Sequence, residues 1–450
     1  MEVNKEFNIA KEIASRISEY EGTCYFVGGY VRDKLMGIDT KDVDMEVHGI
    51  APEVLEKILD EFGTRIETGK SFGVYNLCGY DIDIAMPRKE KCIGSGHRDF
   101  KVDIDPFIGT KKAAVRRDFT INAIMENVLT GEIIDHFGGQ ADIENKVIRH
   151  INESSFAEDP LRVLRGAQFS ARFRFSVAPE TIELCSGMNL NSLASERVFE
   201  EMKKALLKAE KPSIFFEVLR RMESLEIWFP ELSALIGIEQ NKEHHKEGDA
   251  WNHTMMVLDE TAKRRDSAEN PLGIMLAALC HDFGKATCTE EISGVIRSLG
   301  HETEGVSIAE KFLKRITSDK KLIKYVLNMT ELHMRPNILY AQKSKIKSTN
   351  KLFDLSVAPI DLIHLAMADN LGKIPQEATE NTEKFLLERL DVYKEYMSRE
   401  YVTGKDLIAM GITPGEKFTD ILEFAHKLRL SGVSKENVIK QIEAEYKKEV

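Results

Sequence analysis

Two stretches of this 450-residue sequence carry residues whose types and spacing suit metal-dependent phosphate chemistry, and the first lies near the N-terminus. Asp42 and Asp44 in "KDVDMEV" alternate on an extended segment, which predicts that both carboxylates lie on one face of a sheet. Two oxygen ligands with open positions suit Mg²⁺, which takes its other ligands from water and substrate phosphates. Gly28 and Gly29 lack a Cβ, so backbone N–H groups can approach a triphosphate there, and the cationic Arg32 follows. Two alternating aspartates alone occur by chance in acidic proteins, but the glycine pair ahead of them makes the pattern specific.

A second cluster of polar residues follows in "RRDFTINAI". Arg116 and Arg117 could neutralise phosphates, while Asp118 and Asn122 could hydrogen-bond a ribose. The alternative is the start of a helix with Asp118 as its cap. Asp83, in "YDIDIAM" on a predicted neighbouring strand, is a candidate third carboxylate, and a surface or capping role is the alternative.

Charged residues recur through "AEDPLRVLRGAQFSARF", which we predict to form one helix. They are Glu158, Asp159, Arg162, Arg165 and Arg172. Asp159 and Arg162 stand three positions apart, where a surface ion pair would contribute ~0.3–0.5 kcal/mol. The alternative is a fixed set of acceptors and donors that matches the Watson–Crick edge of a base.

The second stretch is "AALCHDFGKA", where His281 and Asp282 are adjacent within an apolar run. Adjacent His and Asp are a known way to hold a catalytic metal, whereas a lone histidine on an apolar helix is usually a hydrogen-bonded core residue. The order of histidines and aspartates around this pair resembles the HD superfamily of metal-dependent phosphohydrolases, over residues 240–375. The ligands that the resemblance implies are His253, His281, Asp282 and Asp369, with His301 and His333 completing a second metal position. Imidazoles with carboxylates suit Ni²⁺, Mn²⁺ or similar transition metals better than Mg²⁺. A structural domain that keeps these residues without turnover is the alternative.

Two kinds of region must position these residues. Residues 1–140 alternate short β-branched and aromatic runs with helical stretches, which predicts an α+β head with a small mixed sheet. From 141 onward the strand signals fade and apolar residues recur at helical spacing to the end. We therefore predict four parts: a head (1–140), an all-α neck (141–235), a helical body (236–375) and a helical tail (376–450).

Composition limits the classes of partner. The formal net charge of −12 argues against a protein that coats nucleic acid indiscriminately, although local patches such as "GTKKAAVRRD" could grip one shaped RNA. No apolar run approaches the ~20 residues that cross a bilayer, and the N-terminus lacks the pattern of a signal peptide, so we expect no membrane partner. The six cysteines include no CxxC pair, which favours free thiols in the cytoplasm.

The motifs "GGYVRD…KDVD", "RRDFTINA", "DHFGG", "EDPLR" and "SERVFEEMKKAL" follow one another in order. Over residues 20–230 the chain resembles the class II tRNA nucleotidyltransferase and poly(A) polymerase family, whose heads are polymerase-β-like. The resemblance implies that Asp42 and Asp44 hold catalytic Mg²⁺ and that the group from Arg116 to Asn122 binds phosphates and ribose. It also implies that Asp159 and Arg162 select CTP or ATP.

The whole chain most resembles bacterial CCA-adding enzymes with a fused HD domain. A segment that includes "KEKCIGSGHRDF" fills the position of the family's flexible loop, and this favours the complete CCA adder over relatives that add only C. The chain is acidic and lacks the basic tail of long polyadenylating relatives, which argues against that class. The resemblance implies tRNA, CTP and ATP as partners and an HD domain that hydrolyses phosphate monoesters and 2′,3′-cyclic phosphates. It also implies a tail that supports tRNA. A poly(A) or A-adding polymerase with a structural HD domain is the alternative, and the oligomeric state stays open.

Overall fold

The computed structural model describes residues 5–40, 42–69, 73–92, 100–241, 243, 245–376 and 378–446, with backbone only at 67–69, 89–92 and 100–102. The central part of the predicted flexible loop, 93–99, lies outside the described residues. The chain forms two compact units. The first comprises Met1–Ala205 and Ile214–Ile227, and the second Leu206–Ser213 and Trp228–Val450. The predicted division into four parts is finer and stays a prediction.

A seven-stranded sheet organises the first unit, in the order β3-β4-β5-β2-β1-β8-β9. Its strands are β1 Thr23–Val27, β2 Val43–His48, β3 Arg65–Gly69, β4 Val74–Leu77, β5 Ile82–Ala85, β8 Met125–Asn127 and β9 Ile133–Ile134. A separate hairpin pairs β6 Arg88–Cys92 with β7 Phe100–Ile104. Strands β2 and β5 run parallel while the other pairs in the sheet are antiparallel, which confirms the mixed sheet.

The helices of the first unit precede, separate and follow these strands in the chain. They are α1 Lys5–Ser18, α2 Gly29–Leu35, α3 Pro52–Phe62, α4 Thr110–Val115, α5 Gly139–Glu144, α6 Glu153–Ala157, α7 Leu161–Phe173 and α8 Pro179–Ser186. The points in the sequence where the chain passes from one unit to the other fall within three more helices, α9 Ser195–Lys208, α10 Ser213–Arg221 and α11 Leu225–Trp228. Strands β10 Val147–Ile148 and β11 Ser176–Val177 pair in parallel, a short exception to the predicted all-α neck.

Alternation along β2 determines which residues face the core. Val43, Met45 and Val47 belong to the hydrophobic core of the first unit, so Asp44 and Glu46 lie on the opposite face. The predicted two-faced strand is therefore present, and its polar face is available for a site.

The second unit is helical. Its helices are α12 Pro230–Ser233, α13 Ala250–Ala262, α14 Pro271–Cys280, α15 Lys285–Cys288, α16 His301–Ile316, α17 Lys320–Leu332, α18 Arg335–Ala341, α19 Ile346–Leu355, α20 Pro359–Leu371, α21 Glu380–Ser398, α22 Gly404–Ala409, α23 Glu416–Arg429 and α24 Lys435–Tyr446. Helix α14, "PLGIMLAALC", is buried from Gly273 to Cys280 and forms the centre of this unit. Between α15 and α16 the strands β12 Thr289–Ile292 and β13 Val295–Ser298 form a hairpin that the sequence reading did not anticipate.

The fold class expected from the sequence, an α+β head followed by helices, is confirmed. The prediction that 157–173 forms one helix is wrong, because α6 ends at Ala157 and α7 begins at Leu161. Pro160 has no N–H to continue the helical hydrogen-bond ladder, and Asp159 Oδ1 accepts a hydrogen bond from Leu161 N (3.1 Å). Among the described helices, none has both the length and the apolar composition to span a membrane.

Candidate active sites

Carboxylates from two parallel strands meet on the polar face of the head sheet. Asp44 on β2 is the direct register partner of Asp83 on β5, and Asp42 immediately precedes β2. Burial and the neighbouring charge of Asp83 raise the pKa of Asp44 to about 6, against the opposing effect of Arg117. A carboxylate that resists ionisation beside another carboxylate marks a place where a cation would be favoured, so these residues fit a divalent metal.

Gly28 lies against this pair of strands with a positive φ of 67°. A Cβ at this position would be 3.3 Å from Asp44 Oδ2 and 3.3 Å from Arg117 Nη1. A side chain would therefore enter the space between the carboxylate and the guanidinium, where a phosphate linking metal and arginine would have to fit. Gly29 begins α2.

Arg116 and Arg117 are held by Glu46, a residue that the sequence reading missed. Their Nη2 atoms lie 3.6 and 3.4 Å from Glu46 Oε2, and His48 Nε2 lies 2.9 Å from Oε1. Burial alone would raise the pKa of Glu46, but His48 and the two arginines lower it to about 2. Glu46 continues the alternation of Asp42 and Asp44, which is the signal that could have revealed it.

Arg32 belongs to a buried network. Its Nε donates to Asp33 Oδ1 (2.8 Å) and its Nη1 to Asn122 Oδ1 (2.6 Å). Its guanidinium carbon lies 4.7 Å from the centroid of the Phe173 ring, and Arg172 Nη2 lies 3.6 Å from Asp33 Oδ2. Arg32 and Asn122 are therefore engaged within the protein, so their predicted contacts with nucleotide stay predictions.

Asp118 extends the same network to α7. It accepts hydrogen bonds from Asn122 Nδ2 (2.9 Å), Phe119 N (2.8 Å) and Arg165 Nε (2.7 Å). Burial alone would raise the pKa of Asp118, but Arg165 and Asn122 hold it below its ordinary value. Since the buried Asp118 bonds to Arg165, a partly exposed arginine 47 residues away, the alternative reading of Asp118 as a helix cap does not describe its role.

Asp159 and Arg162 do not pair with each other among the contacts of the described residues. Asp159 Oδ2 instead lies 3.1 Å from Arg197 Nη2 on α9. Arg162 donates to the carbonyl oxygens of Ser155 (2.7 Å) and Arg116 (2.6 Å). The surface-ion-pair alternative for this pair is therefore wrong, while the prediction that the two residues select the nucleotide remains open.

The six residues predicted to bind metal in the second unit come together in two groups. One is His253, His281 and Asp369, and the other is Asp282, His301 and His333. Within each group the ligand atoms all lie within 4.8 Å of one another. The three head carboxylates do not form such a group in the described part of the chain, as expected where Mg²⁺ completes its shell with water and phosphate.

Backbone carbonyls fix the orientation of all four imidazoles. The Nδ1 atoms of His281, His301 and His333 lie 2.8, 2.7 and 2.6 Å from the carbonyls of Ala278, Ser298 and Thr330, and that of His253 lies 3.2 Å from Gly372 O. Because a carbonyl oxygen only accepts, each Nδ1 carries the proton and each Nε2 is left as the potential ligand atom. His281 Nε2 is buried with no hydrogen-bond partner among the described residues.

The charges in this cluster also fit a cation. Burial and the neighbouring His281 lower the pKa of His333 to about 3, so its ring is neutral and its Nε2 is a bare acceptor 3.3 Å from His301 Nε2. Burial would raise the pKa of Asp282, but His281 and Lys285 hold it well below its ordinary value. A proton or a metal ion must therefore occupy the space between these nitrogens and oxygens, and six convergent ligands fit a transition metal.

Sequence reasoning missed Glu247, which orients one of the ligands. Its Oε1 lies 2.6 Å from His245 Nδ1 and 3.2 Å from His253 Nδ1, and its Oε2 accepts from Ile374 N (2.9 Å). A carboxylate on the far nitrogen of a metal-binding histidine fixes its tautomer and orientation. The only local signal was a carboxylate six residues before His253, which alone predicts nothing.

Three family models match the chain. Residues 24–149 match the poly A polymerase head domain, residues 174–236 match a probable RNA and SrmB-binding site of polymerase A, and residues 250–372 match the HD domain. The multifunctional CCA protein of Mannheimia succiniciproducens is 36% identical over 382 residues, which cover 81% of this chain and 88% of that protein. The multifunctional CCA protein of Actinobacillus pleuropneumoniae is 37% identical over 316 residues, which cover 69% of this chain and 74% of that protein.

Solved structures share the fold at lower identity. A Thermotoga maritima CCA-adding enzyme complexed with tRNA is 20% identical, with a TM-score of 0.64 over 97% of this chain and 94% of that one. A CCA-adding enzyme complexed with ATP is 21% identical, with a TM-score of 0.66 over 97% of this chain and 93% of that one. At this identity the likeness shows the common fold.

Proposed function

This chain belongs to the family of multifunctional CCA proteins, and from that premise we propose that it adds C, C and A from CTP and ATP to the tRNA 3′ end without a nucleic-acid template. The observation that carries the proposal is the meeting of Asp44 and Asp83 beside Arg117 and Gly28. Carboxylates for a metal, a cation for phosphates and an unobstructed backbone are what transfer of a nucleotidyl group needs. We expect the reaction to take place in the cytoplasm.

Within the head, each group has a separate task. Asp42, Asp44 and Asp83 would hold Mg²⁺, which when bound supplies positive charge to the triphosphate and the reacting oxygens. Arg117 and Arg116 face the same space and would neutralise the phosphates, with Glu46 fixing where their guanidinium groups lie. The predicted base-reading pair, Asp159 and Arg162, is held by its contacts with Arg197 and with backbone carbonyls.

We further propose that the second unit hydrolyses phosphate esters at damaged tRNA ends. Its six convergent ligands would hold a transition metal such as Ni²⁺ or Mn²⁺, which supplies Lewis acidity when bound. Glu247 orients His253, and Lys285 holds Asp282 at 2.7 Å. A tRNA that ends in a 3′-phosphate or a 2′,3′-cyclic phosphate has no free 3′-hydroxyl, so hydrolysis would prepare it for addition.

Incubation with tRNA that lacks CCA, together with CTP and ATP, tests the first proposal. Sequencing of the product should show C, C and A with the wild type and no extension with Asp44→Asn. Incorporation of A without C would replace this proposal with the A-adding polymerase.

Hydrolysis of a chromogenic phosphodiester with added Ni²⁺ or Mn²⁺ tests the second proposal. The wild type and Asp44→Asn should hydrolyse it, whereas His281→Ala should not, although that variant should still add CCA. Equal background rates in the wild type and His281→Ala would reduce the second unit to a structural role.

A further inference from the structure

The end of the β12–β13 hairpin lines a cavity in the second unit that is also lined by three of the six candidate metal ligands, Asp282, His301 and Asp369. The central residues of the hairpin, Ser293 and Gly294, both have positive φ (53° and 81°), as in a type I′ turn, which matches the twist of paired strands. Ser298 at its end accepts a hydrogen bond from His301 Nδ1 (2.7 Å) through its carbonyl, and its Oγ lies 2.7 Å from Thr289 Oγ1. The hairpin is thus hydrogen-bonded directly to His301, a candidate metal ligand.

Residues at that end of the hairpin line the cavity without serving the cluster. Ile296, Arg297 and Leu299 lie along it together with Met334, which lies between α17 and α18. The Leu299 side chain is 67% exposed. Arg297 is also exposed, and its guanidinium has no hydrogen-bond or ion-pair partner within the described ranges of the chain. An apolar surface and an unpaired cation therefore lie side by side at the rim.

The size of the cavity indicates how a substrate would lie. Its volume is about 260 Å³, below the ~300–1,000 Å³ of pockets that enclose a whole small ligand. Asp282, Lys285 and Lys373 line it, so the phosphoryl group would enter among charged residues. The rest of a nucleotide would then extend over the rim, where Leu299 and Arg297 are.

We propose that Leu299 and Arg297 form a nucleotide-recognition subsite of the hydrolase cavity. Leu299 packs against the base of the terminal nucleotide, and Arg297 binds the phosphate on the 5′ side of that nucleotide. The substrate class that this subsite selects is the 3′ end of an RNA strand rather than free phosphate esters. The inference rests on the hydrolase activity proposed above, and its test separates the two.

Three substrates of increasing size probe the subsite. Ethylene phosphate presents only the five-membered cyclic phosphodiester, adenosine 2′,3′-cyclic phosphate adds the nucleoside, and its 5′-phosphorylated form adds the second phosphate. We expect Arg297→Gln to lower kcat/KM about tenfold for the 5′-phosphorylated nucleotide, the effect of ~1.4 kcal/mol, and to leave the other two unchanged. Leu299→Ala should lower it about five- to tenfold for both nucleotides and not for ethylene phosphate.

Lys320→Gln is the matched control, since Lys320 is an exposed cation at the start of α17 and does not line the cavity. It should behave as the wild type with all three substrates. Loss of the Arg297 contact should also reduce the salt dependence of binding by about one in the slope of log K against log salt, a change that a merely structural defect would not produce.

Calorimetric binding to protein treated with a chelator provides a second readout that requires no turnover. Wild type should bind adenosine 3′,5′-bisphosphate more tightly than adenosine 3′-phosphate, and Arg297→Gln should abolish that preference. Because Arg297 belongs to the second unit, any binding at the head is common to both proteins and cancels. If the wild type cleaves none of the three substrates, the hydrolase proposal fails and this preference alone decides the subsite. If Arg297→Gln retains the wild-type preference, the subsite is wrong.

Discussion

Glu46 offers the most direct test of the electrostatics of the head. Glu46→Gln preserves the size and shape of the side chain but removes the charge that faces Arg116, Arg117 and the His48 ring. The carboxylate is buried, so water cannot replace it as a partner. Both arginines would lose the interaction that holds them beside the candidate metal-binding face of β2.

The structure gives the expected magnitude. Although burial opposes ionisation, His48 and the two arginines lower the pKa of Glu46 from 4.5 to about 2. At ~1.4 kcal/mol per pKa unit, the difference corresponds to ~3 kcal/mol of stability, the order of the ~3–5 kcal/mol lost when one partner of a buried ion pair is removed. Because the folded-state pKa is the lower one, this stabilisation is present above pH 4.5 and is lost as the pH falls through about 2. About 1.4 kcal/mol should remain at pH 3.

Native-state hydrogen exchange of amides in β1 and β2 measures the opening free energy of the head itself. Both tryptophans, Trp228 and Trp251, lie in the second unit. Their fluorescence during urea unfolding should therefore be the same in the variant and the wild type. Glu12→Gln, at an exposed position on α1, is the matched control and should remain within ~0.5 kcal/mol of wild type.

Two results would refute this reasoning. One is protection in Glu46→Gln equal to that in Glu12→Gln at pH 7. The other is a deficit of the same size at pH 3 as at pH 7, which would show that the loss comes from packing and not from the charge.

Three further changes have expected outcomes. Gly28→Ala places a methyl group at a positive φ and 3.3 Å from Asp44 Oδ2, so the KM for CTP should rise at least tenfold in a nucleotide-addition assay while the second unit still hydrolyses its ester. Asp118→Asn removes the buried carboxylate that pairs with Arg165, whose side chain is one-third exposed, and should destabilise the head by ~1.5–3 kcal/mol, measured by hydrogen exchange with tryptophan fluorescence unchanged. Glu247→Gln removes the carboxylate behind one ligand histidine and should weaken binding of Ni²⁺ or Mn²⁺ by ~10–100-fold in a metal titration. Unaltered metal affinity would contradict its orienting role.

The sequence predicts those parts of the fold that local spacing determines. Alternation predicts that Asp42 and Asp44 share a face, and the apolar run "PLGIMLAALC" ahead of His281 predicts a buried helix that ends at the metal cluster. The β12–β13 hairpin was missed because its strands, "TEEI" and "VIRS", are only four residues long each and together contain three charged residues. Local spacing in these two segments therefore does not predict that the strands pair.

Contacts between distant residues explain what the sequence could not predict in the sites. Glu46 binds Arg117 across 71 positions, and Asp159 binds Arg197 across 38. Neither distance in sequence carries a periodic signal. Asp159 also showed how a local rule misleads, because the spacing that suggested an ion pair with Arg162 assumed a continuous helix that Pro160 interrupts.

The two candidate sites differ in how they would obtain their metals, and this difference would allow one chain to carry out both proposed reactions, nucleotide addition and phosphate-ester hydrolysis. The head offers carboxylates from two strands with arginines beside them, so a metal held there would take its remaining ligands from a bound triphosphate and water. The second unit offers six buried candidate ligands whose histidines are already oriented by backbone carbonyls, so a metal would need no substrate in order to bind there. Oxygen-rich and nitrogen-rich ligand sets favour different ions. If both proposed activities hold, addition would depend on nucleotide while hydrolysis would not, and a blocked end could be cleared before any CTP was committed to it.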